Sequence, residues 1–466
     1  MNSGADAAAN SNSSQNPEEK KRRRKNNGGK YGFDDYPSSP TSEVKVDGYN
    51  KGDYCPHCQA GKLYNGEARK QLQFNAHAPI EVNRYIREVL RCNRCGQGII
   101  ADLPKNFRKW TYAAKSKVVL YKTHGMPFYR LQKLQSMYQI PLPANTMWQQ
   151  CNEVWEDGAK QVYGELLQLL GESHYLNVDD TGVKILEAIE SNKSKPDKDR
   201  RACHSTTISG DTVDGHQIEV YISAQDYAGN NIKPLIKDSK NLNCGHHLKI
   251  MGDASSMNKP NVEASLSSQI HMVNCLEHGR RKFSDIKEDY VKECAYFLKE
   301  INAIFAYERQ FKEEKPGKRL KLRKQFSAQH IGNIYREIDR LLSKKEVEPN
   351  SSLGKAMKYW LNNKKGLTAF LRMKDVGVSN NRAERSLKTI ILQRKNSLFF
   401  KTMNSAEILS GLSSIVQTCK MNEVNGFAYL NWLQENSSKC IANPKDYLPW
   451  RFKEINNETE RIKQAA

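Results

Sequence analysis

Tyr175-Leu176-Asn177-Val178-Asp179-Asp180-Thr181-Gly182-Val183-Lys184-Ile185-Leu186 decides how this chain reads. The apolar run up to Val178 predicts a strand with a carboxylate at its end. Thr181-Gly182 then predicts a turn, and the following apolar residues a second strand returning beside the first. Two later acids stand in matching settings. Asp253 ends the short run Leu248-Lys249-Ile250-Met251-Gly252, and Glu384 lies in Asn380-Asn381-Arg382-Ala383-Glu384-Arg385, where a helix begins. A lone Asp after a strand is ordinarily a turn former or a helix cap. Two strand-end aspartates and a helical glutamate together offer the oxygen ligands that a pair of Mg²⁺ ions takes.

Outward from this stretch, strands are expected at 202–208, 217–222, 248–251 and 270–275, with the Lys- and Asp-rich 190–201 as an exposed loop. Residues 285–370 read as helices, including the basic run 315–324, and form an insertion between the second and third acids. Hairpin-linked strands followed by helices predict an α/β layer fold. Around the third acid, Asn380 or Asn381 would cap the helix and Glu384 and Lys388 share a face. Ala383, Leu387, Ile390 and Ile391 form a stripe toward the sheet. Arg382, Arg385, Lys388, Arg394 and Lys395 crowd this helix with cations, as a phosphate-binding surface does.

Ahead of the strands, Cys55-Pro56-His57-Cys58 and Cys92-Asn93-Arg94-Cys95 supply the four thiolates of a structural, closed Zn²⁺ site, a zinc ribbon, with His57 a bystander. The spacer between the pairs is long for this pattern, so the zinc reading rests on the doubled Cys-x-x-Cys. Segments starting at Tyr112, Phe128 and Ala144 read as helices, a small helix-turn-helix-like unit. Residues 1–45 lack apolar periodicity and carry a Lys/Arg run at 20–25, a disordered basic arm.

The 466 residues hold 73 Lys and Arg against 52 Asp and Glu, a net charge of +21. That balance favours a polyanionic partner, nucleic acid first. No apolar run is long enough to span a bilayer and the polar start has no secretory h-region, so a cytoplasmic protein without a membrane partner is expected. Seven of the 11 cysteines are scattered, which suits a reducing compartment.

These residues resemble the IS66-type bacterial insertion-sequence transposases. The resemblance spans residues 50–455: the zinc ribbon, Pro127-Phe128-Tyr129-Arg130, Val178-Asp179-Asp180-Thr181-Gly182, His278-x-x-Arg281-Lys282-Phe283, the Asn-Asn-Arg-Ala-Glu-Arg segment through Arg394-Lys395-Asn396-Ser397-Leu398-Phe399, and Leu448-Pro449-Trp450-Arg451. This chain has Asp179-Asp180-Thr181 where the family has Asp-Glu-Thr, Asp253-Ala254-Ser255 where it has Asp-Gly-Tyr, and no coiled coil before the ribbon.

The resemblance implies a ribonuclease-H-like core with Asp179, Asp253 and Glu384 as a DDE triad holding two Mg²⁺ or Mn²⁺ ions. It implies hydrolysis at the element's ends and strand transfer by the freed 3′-OH into target DNA, in the bacterial cytoplasm at the nucleoid. His278 and Arg281 would contact the DNA near the scissile phosphate. Partners would be double-stranded DNA, further copies of the chain as a homo-oligomer, and small accessory proteins of the same element. The expected plan is a basic arm (1–45), zinc ribbon (46–103), helical DNA-binding domain (104–170), core (171–284 and 373–436) split by the insertion (285–372), and a tail (437–466). The competing readings are a domesticated DNA binder without catalysis and another ribonuclease-H-like nuclease.

Overall fold

The computed structural model describes residues 33–35, 41–66, 68–72, 77–91, 93–95, 97–196 and 201–456. They fall in two compact units, Met1–His77 and Ala78–Ala466. The basic run at 20–25 and Cys92 lie outside the described residues. Among those described, no helix is long and apolar enough to cross a membrane.

In the first unit a tight turn closed by the Tyr54–Lys62 bridge holds Cys55 and Cys58. The Cys55 N–H donates to the Gly61 carbonyl at 2.8 Å. In the second unit Val89–Arg91 pairs antiparallel with Gly98–Ile100. The alternating residues 81–87 do not join that ladder. Every residue there is exposed, so no buried face fixes a register.

The central sheet has five strands: β1 (Tyr175–Val183), β2 (Cys203–Asp211), β3 (Gln217–Ala224), β4 (Leu248–Gly252) and β5 (Ile270–Asn274). Their spatial order is β3-β2-β1-β4-β5. β1, β2 and β3 run antiparallel to their neighbours, whereas β1, β4 and β5 are parallel. One expectation is corrected here. Thr181-Gly182 is not a turn: β1 runs straight through it, with Asp179 opposite Thr207 and Gly182 opposite His204. The long β2 partner offers a ladder to every residue of that stretch, and this outweighs the local turn preference of Thr-Gly. No second strand returns; Leu186–Lys193 is a helix instead.

Helices α1 (Tyr112–Thr123), α2 (Phe128–Met137), α3 (Ala144–Val154) and α4 (Lys160–Gly171) precede the sheet. The 104–170 segment was read as a domain of its own. Val118, Leu131, Met147 and Leu166 instead share one hydrophobic core with Val178, Ile208 and Val220 of the sheet. After β5 come α5 (Leu276–Ser284) and the insertion helices α6 (Val291–Gln310), α7 (Ala328–Ser343) and α8 (Ser352–Asn362). The insertion has a second core, built from Phe283, Phe297, Ile334 and Trp360, that closes against Met251 and Val273 at the ends of β4 and β5. The chain then enters α9 (Asn381–Ser397), α10 (Met403–Met421) and α11 (Gly426–Glu435).

α10 seals the free edge of β3. Ser410, Ser414, Thr418 and Asn422 recur every four residues, about 6 Å along a helix, which matches two residues of strand. Their side chains take up the outward-facing groups of β3. Ser410 Oγ donates to Ser223 Oγ at 2.7 Å. Ser414 Oγ accepts the Tyr221 N–H at 2.8 Å. Thr418 Oγ1 accepts from Glu219 N and donates to Glu219 O, and Asn422 does the same for Gln217. A helix here plays the part of a sixth strand. Ser414→Val would strand the buried Tyr221 N–H, and urea unfolding should read a loss of about 2 kcal/mol.

Candidate active site

Register brings the first two acids level. Asn177 of β1 pairs in parallel with Met251 of β4. Two residues on, Asp179 lies within β1 and Asp253 lies just past the end of β4, both on the same side of the sheet. β1 therefore carries its acid in mid-strand, not at the end that the apolar run suggested. Asp253 is fixed by local turn chemistry, its Oδ1 accepting from Ser255 N at 3.0 Å and from the Asn258 amide.

The third acid is delivered by Asn380, which is fully buried. It stands where a cap was expected, but its amide serves the sheet and not the helix. Nδ2 donates to the Val178 carbonyl at 2.8 Å, and Oδ1 accepts from Asn177 Nδ2 at 3.1 Å. Its backbone N–H donates to Cys275 Sγ at 3.2 Å. The first turn of α9 is thus tied to the two β1 residues before Asp179. One turn on, where Glu384 N donates to Asn380 O at 3.0 Å, Glu384 is near enough for its charge to act on Asp179. The far end of α9 is anchored to α1 and the turn after it: Gln393 Nε2 donates to Thr123 O at 2.9 Å and Asn396 Nδ2 to Gly125 O at 3.0 Å. Asn380→Ala should cost about 2 kcal/mol in thermal or urea unfolding, because it leaves the buried Val178 carbonyl unpaired.

Asp179 senses the other two acids. Burial first, then the negative charges of Glu384, Asp253 and Asp180, hold the Asp179 carboxyl up at about 7. Asp180 is used differently. Its Oδ1 accepts from Thr206 Oγ1 and its Oδ2 from the Ala228 N–H, both at 2.6 Å, so both oxygens serve the fold. Asp179 makes only a local bond, to the Asp180 N–H.

The cations divide into two sets. Arg382 grips both Asp211 oxygens at 2.8 and 2.9 Å and the Gly210 carbonyl, bracing the end of β2. Arg394 holds Thr181 Oγ1 and the Gly182 carbonyl at 2.7 and 2.6 Å. Both guanidinium groups are engaged in holding α9 on the sheet. Arg385, Lys388 and Lys395 form the exposed set on the same helix. Glu384 does not turn to Lys388. Its Oε2 accepts from Arg281 at 3.0 Å, and its Oε1 lies 3.8 Å from His278 Nδ1. Both partners sit one turn apart on α5, which starts directly after β5. Sequence reasoning missed Asn380 as a connector and Cys275 as a neighbour of Glu384; a repeated Asn ahead of a helix signals a cap, not a bond to a strand.

The first cysteine knuckle suits a metal. Amides of Gly61 and Ala60, with Cys55, pull the exposed Cys58 thiol below its ordinary range, as thiolate ligation requires.

Comparison with known proteins gives two findings. The family model described as "Transposase IS66 family" matches residues 111–408, which contain all three acids. Among curated proteins, "Uncharacterized protein y4jD" of Sinorhizobium fredii is 26% identical over 431 residues, covering 88% of this chain and 79% of that protein. "Uncharacterized protein y4qI" of the same organism is 24% identical over 205 residues, covering 43% of this chain and 37% of its own length.

Proposed function

Because the chain belongs to the IS66 family of transposases, we propose that it cuts the ends of a bacterial insertion element and joins them to target DNA, using Asp179, Asp253 and Glu384. The observation that carries this reading is the convergence of three acids from β1, the end of β4 and α9, with Asp179 held near 7 by burial and then by the charges of Glu384 and Asp253. A sheet of three antiparallel strands extended by two parallel ones supports a ribonuclease-H-like core.

The three carboxylates are the hard-oxygen set that two Mg²⁺ or Mn²⁺ ions fit, and when bound such ions stabilise charge on the attacking and leaving oxygens. Arg281 offsets the charge of Glu384, so the site tolerates its acids before DNA arrives. Water is the nucleophile in the first step and the freed 3′-OH in the second. No protein–DNA covalent bond is formed. Arg385, Lys388 and Lys395 bind phosphates from the exposed face of α9 and set the salt dependence of binding, while His278 and Arg281 lie nearest the reacting strand. Arg382 and Arg394 act by holding α9 in place.

A metal on the Cys55-Pro56-His57-Cys58 knuckle would be structural and take no part in the reaction. Double-stranded DNA, further copies of the chain and accessory proteins of the element complete the assembly.

The test is cleavage and strand transfer on labelled DNA bearing the gene's own flanking ends, with Mg²⁺ or Mn²⁺. Cut and joined products that disappear in Asp253→Asn and Glu384→Gln, with DNA binding retained, are the expected result. Binding without cutting by the native chain would support a domesticated binder instead, and cutting that survives both substitutions would move the site elsewhere.

A further inference from the structure

Beside the carboxylate triad lies a ligand set of different character. Cys275, His278 and Glu384 bring one ligand atom each within 4.8 Å of one another. Cys275 Sγ lies 3.9 Å from Glu384 Oε1, and His278 Nδ1 lies 3.8 Å from the same oxygen. A tetrahedral ion with ordinary zinc bond lengths would want the sulfur–oxygen and nitrogen–oxygen separations at about 3.5 and 3.3 Å, so these two pairs need to contract by about half an ångström or less.

Two features suit a metal better than simple packing. His278 Nδ1 is buried with no hydrogen-bond partner among the described residues, although it faces the carboxylate. Cys275 Sγ is an acceptor: the Asn380 N–H donates to it at 3.2 Å, and the amides of Glu277 and His278 also point at it. Burial, first, and the charge of Glu384 push this thiol up, and the N–H donors only partly offset them, so the proton leaves only as a metal takes its place. The local structure supplies this for a reason of topology. Cys275 is the single residue between β5 and α5, so the first turn of α5 turns its amides onto the thiol.

We propose that Cys275, His278 and Glu384 form a site for a thiophilic divalent cation of the zinc class, which shares Glu384 with the hard-cation set and competes with it. Soft and borderline donors select such ions over Mg²⁺. Three protein ligands leave a fourth position to water, and binding releases the thiol proton to solvent. An ion held there occupies Glu384 Oε1, so it acts as an inhibitor of cutting where Mg²⁺ supports it.

The binding test needs no DNA and is independent of the transposase reading. Full-length, metal-stripped chain is titrated with Co²⁺, and thiolate-to-cobalt absorption in the near ultraviolet is counted as equivalents bound. Wild type should bind one equivalent more than Cys275→Ser, which keeps a hydrogen-bond acceptor for Asn380. The same equivalent should persist in Cys55→Ser/Cys58→Ser, which separates it from the zinc knuckle, and should weaken at least tenfold in His278→Gln. Circular dichroism melts confirm that each variant is folded. Equal stoichiometry in wild type and Cys275→Ser overturns the proposal; should Cys275→Ser fail to fold, unchanged affinity in His278→Gln overturns it. With active enzyme, Zn²⁺ should block Mg²⁺-supported cutting at a concentration at least tenfold lower for wild type than for Cys275→Ser. Loss of cutting in Asp253→Asn leaves the cobalt result untouched, so the two readings fail separately.

Discussion

Asp179→Asn is expected to lower metal-dependent cutting and joining by on the order of a thousandfold, and at the same time to make the metal-free chain more stable. Both effects have one cause. Burial at the centre of β1, first, and then the charges of Glu384 and Asp253 hold the carboxyl at about 7 against an ordinary 3.8. In the unfolded chain it ionises near 4. Between those two values the native state keeps a proton that the unfolded state has released, so stability falls as pH climbs through that window.

Above pH 7 the full cost applies, on the order of 2–3 kcal/mol once partial exposure is allowed for. An amide carries no such cost. The melting midpoint of Asp179→Asn in EDTA should therefore exceed that of wild type at pH 8, with the difference vanishing near pH 4. Mg²⁺ should close the gap by stabilising wild type alone. Equal midpoints at pH 8 would mean that burial and its charged neighbours do not hold the Asp179 carboxyl above its ordinary value.

Arg323→Met is expected to cost about 3 kcal/mol or more in urea unfolding. Arg323 is fully buried, its Nε 2.8 Å from Glu308 Oε2, its second nitrogen on Glu308 Oε1, and its third donating to the Val376 carbonyl at 2.9 Å. Removing it leaves a largely buried Glu308 without its cation and an unpaired carbonyl. Adding Glu308→Leu should recover a good part of the loss, since the uncompensated charge is then gone as well. Val376 leads through Val378, whose carbonyl accepts the Leu276 N–H, directly to Asn380. Cutting by Arg323→Met should therefore fall together with stability. A variant that unfolds at the native urea midpoint would contradict this account.

Arg323 also marks where sequence reasoning stops. Within 315–324 it is one of several cations, and nothing in its neighbours separates it from a solvated face; its partners, Glu308 on α6 and the segment from Phe370 to Val376, are distant in sequence. The sheet was more legible. β3 to β5 are short, largely apolar runs bounded by polar turns and β2 is a Ser/Thr-rich run with β-branched residues, patterns that one strand carries by itself. β1 was half legible, because the continuation through Thr181 and Gly182 depends on β2, more than 20 residues away. The acids were readable as acids. What joins them, the pairing of Asn177 with Met251 and the bonds from Asn380 to β1, is non-local, and neither composition nor periodicity encodes it. Arg382 and Arg394 illustrate the same limit: in sequence they are cations like Arg385, and in the fold their charge is already engaged.

The seal of α10 on β3 has a consequence in time. The strand is complete at Ala224, but the helix that covers its edge ends at Met421. At ribosomal rates of roughly 5–20 residues per second, some 10–40 seconds separate the two. During that interval the emerging chain carries a bare strand edge beside half an acid cluster. A growing polypeptide thus holds an incomplete set of the three acids together with a strand edge open to pairing. Competence and protection arrive almost together, when α9 and α10 leave the ribosome and dock.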